Sequence, residues 1–126
     1  MATLELTSEN FNETIENNDI VIVDFWAPWC GPCKSFAPTF EAASESHPDV
    51  VFAKVNTEDE TELAQGCGIR SIPTLMLFRQ KILLFNEAGA LPPAQLEDMV
   101  AKVKELDMDQ VRASMAEAEA EQAQGE

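Results

Sequence analysis

The fold is decided by the stretch Val23-Asp24-Phe25-Trp26-Ala27-Pro28-Trp29-Cys30-Gly31-Pro32-Cys33-Lys34. It begins inside the β-branched, apolar run Ile20–Trp26, a pattern typical of a strand that is buried on both faces. The prolines and the glycine that follow are typical of a tight turn. After the turn, the spacing predicts a helix from about Cys33 toward Ser46, with one apolar face formed by Phe36, Phe40 and Ala43. A strand therefore delivers a C-x-x-C pair to the start of a helix.

Outward from this stretch, the apolar pattern alternates between the period of a strand and that of a helix. Upstream, residues 3–6 predict an edge strand, and Phe11 and Ile15 share one face of a helix with Ser8 as its N-cap. Downstream, the sequence predicts a strand at 50–55, a short helix at 61–65, strands at 74–78 and 82–85, and a helix opened by Pro93. The three residues between the last two strands predict an antiparallel hairpin.

The order β-α-β-α-β-α-β-β-α predicts an α/β fold with a central mixed five-stranded sheet and helices on both faces. Residues 1–106 would form one domain, since a chain of 126 residues suits a single core. From residue 107 the composition shifts to Ala and Glu, which favour helix. Residues 107–126 are therefore expected to form an acidic helical tail. It would begin at a capping-box variant and share one face among Met108, Val111 and Met115.

The composition argues against several classes of function. The chain has 8 basic and 23 acidic residues and a net charge of −15, whereas nucleic acids and anionic membranes require clustered Lys and Arg. This charge is expected to maintain solubility, with steering toward basic partners as the alternative. No apolar run approaches the roughly 20 residues of a membrane span, and the N-terminus lacks a signal-peptide pattern. We therefore expect a cytoplasmic monomer that binds neither nucleic acid nor membrane.

The pair Cys30 and Cys33 is suited to redox chemistry or to metal ligation. Three cysteines in a chain without an export pattern do not suggest a structural disulfide framework. At a helix N-terminus, unpaired N–H groups and the helix dipole would stabilise a Cys30 thiolate, and Cys33 would lie one turn inside. The spacer of Gly31 and Pro32 stiffens the turn and carries no charge, which favours a reductant.

A second chemical signal is Asp24, a carboxylate within a buried strand. Burial should raise its pKa, and it lies in the strand that leads to the cysteines. It is therefore a candidate base for the proton that Cys33 loses when it attacks a mixed disulfide. The alternative is a structural pairing with Lys54 on a neighbouring strand, and the two interpretations are compatible.

Residues 23–34 resemble the active-site segment of the thioredoxin family. The segment Ile69-Arg70-Ser71-Ile72-Pro73-Thr74-Leu75 resembles its second signature, and Ala88-Gly89-Ala90 its third. Pro38 falls where these proteins kink their second helix, and the resemblance extends from about residue 4 to residue 106. It implies a thioredoxin fold and a protein-disulfide reductase that serves cell redox homeostasis.

The resemblance also implies a role for each site residue. Cys30 would attack the client disulfide, Cys33 would resolve the mixed disulfide, and Asp24 would accept the proton with Lys54 nearby. Pro73 would follow a cis peptide bond and face the dithiol, and the client would bind an apolar surface formed by Trp29, Gly31, Pro32, Ile72, Pro73 and Gly89. No bound cofactor is implied beyond the redox-active disulfide. NADPH would supply electrons through a flavin-dependent thioredoxin reductase, and disulfide-containing proteins would be the clients.

Three features depart from the family pattern. The turn Arg79-Gln80-Lys81 lacks a glycine, so any residue there with a positive φ would carry a side-chain penalty. Cys67 is interpreted as a partly buried, inert thiol, with a regulatory thiol as the alternative. The acidic tail extends beyond a minimal thioredoxin and is interpreted as a solvated appendage, with docking to a partner as the alternative.

Three other functions compete with the reductase. Tetrahedral zinc needs four ligands, but the chain offers one C-x-x-C, a distant Cys67 and His47, which is expected to be a solvated residue at a helix end. A binding module that escorts clients would retain capture without both cysteines. A disulfide oxidant or isomerase usually belongs to an oxidising compartment, for which the sequence has no export signal.

Overall fold

A computed structural model describes residues 2–124 and contains five strands and five helices in that part of the chain. The strands are β1 Thr3–Glu5, β2 Ile20–Trp26, β3 Val51–Asn56, β4 Thr74–Arg79 and β5 Ile82–Ala88. The helices are α1 Phe11–Asn17, α2 Gly31–Ser46, α3 Thr61–Gly66, α4 Pro93–Glu105 and α5 Met108–Gln124. Every predicted element is present, and β5 runs three residues beyond its predicted end at residue 85.

The strands form one mixed sheet in the order β1-β3-β2-β4-β5. The pairs β1–β3 and β2–β3 are parallel, and the pairs β2–β4 and β4–β5 are antiparallel. The predicted combination of parallel crossovers and a final hairpin is therefore confirmed. This order puts β2, the strand that precedes the cysteines, at the centre of the sheet between β3 and β4.

The side chains of β2 alternate between two apolar layers because successive residues of a strand point to opposite faces. Ile20 and Ile22 pack with residues of α2 and α4, including Phe36, Phe40 and Leu96. On the other face lies the layer that contains α1, formed by Phe11, Ile15, Val21, Val23 and Phe25. Asp24 follows Ile22 on the α2 face, so the buried carboxyl points toward the helix that begins at the cysteines.

Helix α2 begins two residues earlier than the predicted start at Cys33. Cys30 is its N-cap in an extended conformation, and Pro32 lies within the first turn, where a missing N–H has little consequence. The helix continues through Pro38 to Ser46. The earlier start puts both cysteines within the first turn of the helix.

The N-cap predicted for α1 was wrong. The helix begins at Phe11 after Asn10, not after Ser8. The backbone N–H of Ser8 instead donates to Glu60 Oε1 at 2.8 Å, while the Asn10 side chain accepts from the Thr7 N–H at 2.7 Å. The Glu60 carboxylate, which is distant in sequence, therefore binds the backbone of Ser8 outside the helix.

The turn between β4 and β5, which lacks a glycine, contains two residues with positive φ angles. Gln80 has φ 51° and Lys81 has φ 73°, so two side chains occupy the left-handed region that favours glycine. The Gln80 N–H donates to the Asp19 carbonyl at 2.8 Å. Next to the turn, Arg79 Nη1 donates to the carbonyls of Val103, Lys104 and Leu106, which ties the end of α4 to the sheet.

Helix α5 is the predicted tail, and its first turn is attached to the domain. The Asp107 carboxylate accepts from the N–H groups of Asp109 and Gln110, which is the N-cap half of the predicted capping box. Met108 is buried, and the Arg112 guanidinium donates to the Gln80 side chain. Met115, predicted on the same apolar face, is 43% exposed, so the attachment ends before it. Within residues 2–124 no helix is both long and apolar enough to span a membrane.

Candidate active site

The two cysteines form a disulfide at the N-terminus of α2. Their Cα atoms are 5.2 Å apart, and Cys30 Sγ accepts the backbone N–H of Cys33 at 3.2 Å. Both residues are buried and pack with Ala27 at the end of β2. In the reduced protein the same N–H group and the helix dipole would favour a negative charge on Cys30 Sγ.

A cis peptide bond between Ile72 and Pro73 lies beside the disulfide. The Ile72 carbonyl oxygen is 3.8 Å from Cys30 Sγ, and the Pro73 carbonyl accepts the Gly89 N–H at 2.8 Å. Gly89 has φ 99°, which is unfavourable for any residue with a side chain. Three segments that are distant in sequence therefore meet at one end of the sheet.

Trp29 is the most exposed large apolar residue near the disulfide, with 66% of its surface accessible. A shallow pocket beside it is also lined by Ile69, Arg70 and Ile72. An exposed aromatic ring next to a partly apolar pocket is suited to binding another protein. The reactive pair therefore lies at the margin of a surface that can accept a polypeptide.

Asp24, on the central strand that leads to the cysteines, is a buried carboxyl with 1% of its surface accessible. Neither of its oxygens has a hydrogen-bond partner among the described residues. Burial raises the pKa of Asp24 to about 7, and the positive charge of Lys54 opposes this rise. A carboxyl that titrates near neutral pH can both accept and release a proton under ordinary conditions.

The structural pairing of Asp24 with Lys54, the alternative interpretation, does not take the form of a direct ion pair. The two residues are in register across β2 and β3, but no ion pair within 4.0 Å joins them in the described part of the chain. The Lys54 ammonium instead lies 4.7 Å from the centroid of the Trp26 ring. The lysine is near the carboxyl, as expected, but it contacts a different partner.

A thioredoxin family profile matches residues 2–119. The chain belongs to the thioredoxin family. A Streptomyces coelicolor protein assigned to the thioredoxins is 52% identical over 120 residues, which are 95% of this chain and 90% of the relative. The thioredoxin of Alicyclobacillus acidocaldarius is 44% identical over 103 residues, 81% of this chain and 98% of the relative. A mutant thioredoxin from Halobacterium salinarum is similar in structure, with a TM-score of 0.77 and 30% identity over 83% of this chain and 93% of that one.

Thioredoxin family members are protein-disulfide oxidoreductases, and the Cys30–Cys33 pair gives this chain the same thiol–disulfide exchange chemistry. The family works with its own redox-active cysteines and without a bound cofactor, and its substrates contain disulfides. The S. coelicolor match covers 95% of the chain and therefore extends into residues 107–126.

The structure brings together most of the residues that the sequence singled out. Gly31 and Pro32 lie in the first turn of α2, between the two cysteines. Cys30, Ile72, Pro73 and Gly89 are linked through the contacts described above, with Trp29 at their edge. Trp26 lies beside these residues, and the sequence alone predicted no role for it. Its signal was the two-residue spacing from Asp24, which puts both side chains on one face of β2.

The residues considered as further metal ligands lie apart from the dithiol. His47 is the C-cap of α2, at the opposite end of the helix from the cysteines. Its ring is more enclosed than the solvated position predicted for it, with Glu97 Oε2 at 2.6 Å from Nε2 and Lys104 Nζ at 3.0 Å from Nδ1. Between residues 2 and 124 no group of three or more His, Cys, Asp or Glu side chains is arranged to hold a metal ion.

Cys67 is half-buried at the end of α3, as predicted from the sequence. It packs against the apolar layer that contains Phe25 and Met76. Burial raises the pKa of the Cys67 thiol, so less of it is thiolate at neutral pH than for a free cysteine.

Proposed function

We propose that this protein reduces disulfide bonds in other proteins, with Cys30 as the attacking thiolate and Cys33 as the resolving thiol. The observation that carries the proposal is the position of Cys30. It is the N-cap of α2, accepts the Cys33 N–H, and lies beside the Ile72 carbonyl at the edge of the Trp29 surface. Cys33 is one turn deeper and is the less exposed of the two.

The reaction has two exchange steps. In the first, Cys30 Sγ attacks one sulfur of the client disulfide, a mixed disulfide forms, and the other client sulfur leaves as a thiolate. In the second, Cys33 gives its proton to the Asp24 carboxylate and its sulfur attacks Cys30 Sγ. The bond between Cys30 and the client breaks, and the client sulfur leaves with the electron pair. The client gains two electrons, and the protein is left with the Cys30–Cys33 disulfide.

The client would bind across Trp29, Ile72, Pro73 and Gly89, with Gly31 and Pro32 supplying the surface between the cysteines. An extended client segment could pair with the backbone beside Pro73, where strand pairing gives affinity with little sequence selectivity. This mode of binding favours many clients over one. Lys54 would act on Asp24 through its charge, without contacting the client.

The oxidised protein needs two electrons to return to the dithiol. We propose that they come from NADPH through a thioredoxin reductase that docks on the same surface, since the disulfide must be accessible to both reductant and client. The proposed setting is the cytoplasm, and the proposed active species is a monomer. Residues 1–106 would act as the catalytic domain, and the acidic tail 107–126 would be an appendage that the exchange steps do not use.

The test is NADPH-dependent reduction of insulin disulfides with a thioredoxin reductase present. Wild type and a Cys67→Ser control should be active, and Cys30→Ser and Cys33→Ser should be inactive. Cys33→Ser should accumulate a covalent mixed disulfide with the client, whereas Cys30→Ser should not. If Cys30→Ser were the variant that traps the client, the two roles would be reversed.

Dithiothreitol as electron donor separates two causes of failure. If wild type is silent with the reductase but active with dithiothreitol, the reductase is mismatched and the proposal stands. If folded, fully reduced wild type is silent with both donors, the protein is not a disulfide reductase. Client capture that survives the double variant Cys30→Ser, Cys33→Ser would then favour a binding module.

A further inference from the structure

Asp24 and Lys54 carry opposite charges in register on neighbouring parallel strands, yet their side chains form no direct ion pair. Their backbones are partners in the β2–β3 ladder, and the Asp24 carboxyl oxygens are buried without a hydrogen-bond partner in the described chain. The Lys54 ammonium is found over the Trp26 ring, 4.7 Å from its centroid. A buried carboxyl would ordinarily be the stronger attraction for a lysine, so the contact with the ring needs a reason.

We propose that Trp26 is a positioning residue, whose indole ring holds the Lys54 ammonium beside the Asp24 carboxyl but away from direct contact with it. The inference deepens the proposed function, since it rests on Asp24 as the base for Cys33. Trp26 itself touches neither client nor the reacting proton in this scheme. It acts through Lys54, by offering the ammonium an alternative partner.

The arrangement of the three residues supports this role. Asp24 and Trp26 are two residues apart on β2, so their side chains leave the same face of the sheet, and Lys54 is level with Asp24 on β3. The flexible lysine can therefore reach either partner. Cation–π attraction to tryptophan strengthens when the pair is removed from water, and the Trp26 side chain is partly buried against the cluster of Ala27, Cys30 and Cys33.

Lys54 is the charged group that can tune Asp24. From β4 the residue in register with Asp24 is Leu75, and from α4 the same layer contains Leu96, neither of which titrates. From α2 the groups at this end are Cys30 and Cys33, which do not titrate while they form the disulfide. Burial raises the pKa of Asp24 to about 7 with Lys54 in its present place. Direct contact with the ammonium would lower that pKa and weaken the carboxylate as a base.

The test follows the Asp24 carboxyl in the oxidised protein by carbon-13 NMR titration, which needs no turnover. Trp26→Leu removes the aromatic face, and Trp26→Phe keeps a smaller one. Lys54→Met removes the charge while retaining a flexible chain, and the double variant combines Trp26→Leu with Lys54→Met. Trp29→Leu is the matched control, because it removes an exposed tryptophan from the same end of the sheet.

We expect Trp26→Leu to lower the pKa of Asp24 by about one unit, as an opposite charge in contact does, and Trp26→Phe to lower it by less. Lys54→Met should raise the pKa, and adding Trp26→Leu to Lys54→Met should produce no further change. Trp29→Leu should leave the titration unchanged. If Trp26→Leu does not fold, the sign of the Trp26→Phe shift decides.

Two results would overturn the proposal. One is an Asp24 pKa that does not fall in either folded Trp26 variant. The other is a fall of equal size with and without Lys54, which would assign the change to water entering beside the carboxyl. Insulin reduction is measured separately, so that failure of the proposed function can be told from failure of this inference. If the titrations follow the expected pattern but the wild type does not reduce insulin, the reductase function is refuted and the positioning by Trp26 is retained.

Discussion

Replacing Asp24 with asparagine should stabilise the protein at neutral and alkaline pH while slowing its catalysis. The folded carboxyl has its pKa raised from the ordinary value of 3.8 to about 7. Below about pH 4 it is protonated in both the folded and the unfolded state, so it contributes no pH dependence. Between pH 4 and 7 the unfolded state ionises while the folded state keeps its proton. The free energy of unfolding should therefore fall as the pH rises through this window.

The size of the effect follows from the shift of roughly three pH units. At 1.36 kcal/mol per unit, the ionisation of Asp24 costs the folded wild type about 4 kcal/mol by pH 8 relative to pH 4. Asparagine has nearly the same shape and cannot ionise, so Asp24→Asn removes this cost. The variant should be more stable than wild type by about 4 kcal/mol at pH 8 and about equal to it at pH 4.

The assay is urea unfolding of the oxidised proteins at pH 4, 6 and 8, followed by circular dichroism. Insulin reduction at pH 7 gives the activity, where we expect Asp24→Asn to be slower by about tenfold. That loss lies below the usual 10² to 10⁴ for general bases because water can accept the thiol proton in place of the carboxylate. A stability gain equal at pH 4 and pH 8 would refute the titration argument, and unchanged activity would refute the base role.

Three further predictions concern stability and reactivity away from the dithiol. Met108→Ala should lower the free energy of unfolding in urea by about 2–3 kcal/mol because Met108 is buried, whereas Met115→Ala, at a half-exposed position of the same helix, should change it by less than about 0.5 kcal/mol. Lys81→Gly should raise the free energy of unfolding by about 0.5–1 kcal/mol because Lys81 has a positive φ, and Lys81→Ala, which keeps the penalty, should not. In the oxidised protein Cys67 is the one free thiol, and burial raises its pKa. Iodoacetamide should therefore modify Cys67 at pH 8 at least tenfold more slowly in the folded than in the urea-unfolded state. Equal rates in the two states would contradict this reasoning.

The sequence predicted the parts of the fold that depend on local pattern. The run Ile20–Trp26 is apolar at every position but one, and a strand with both faces buried requires this pattern. The turn chemistry of Pro28, Gly31 and Pro32 located the start of α2 within two residues. Because a helix N-terminus has the same electrostatics in any protein, the placement of Cys30 could be predicted from the sequence.

The parts that could not be predicted depend on contacts between distant residues. Ser8 is a good N-cap by type, but Glu60 binds its backbone N–H, and Asn10 becomes the cap instead. The polar end of β5 gave no strand signal because an edge strand can expose Glu87 to water. Arg112 of the tail contacts Gln80, and both side chains are exposed. The local sequence pattern around an exposed residue does not show which distant side chain it will contact.

The same limit applies to the contact that the Lys54 side chain makes. The sequence predicted that Lys54 lies on a strand next to that of Asp24, and the register of β2 and β3 puts the two residues level. A lysine side chain has four rotatable bonds, however, so register determines its neighbourhood and not its contact. Two partners lay within reach, and the choice between them depends on burial and ring orientation. A prediction of charge pairing from register alone should therefore consider every aromatic face within reach of the cation.

The position of Asp24 links the stability of the fold to its chemistry. A carboxyl at an edge of the sheet would be hydrated and would titrate near its ordinary pKa, too low to accept a thiol proton effectively at neutral pH. The centre of β2 excludes water, and this exclusion both raises the pKa of Asp24 and makes its ionised form costly to the folded state. The two effects have one physical cause and cannot be separated by substituting Asp24 itself. Removing the charge of Lys54 would not separate them either, because linkage converts any change in the pKa of Asp24 into a change in stability.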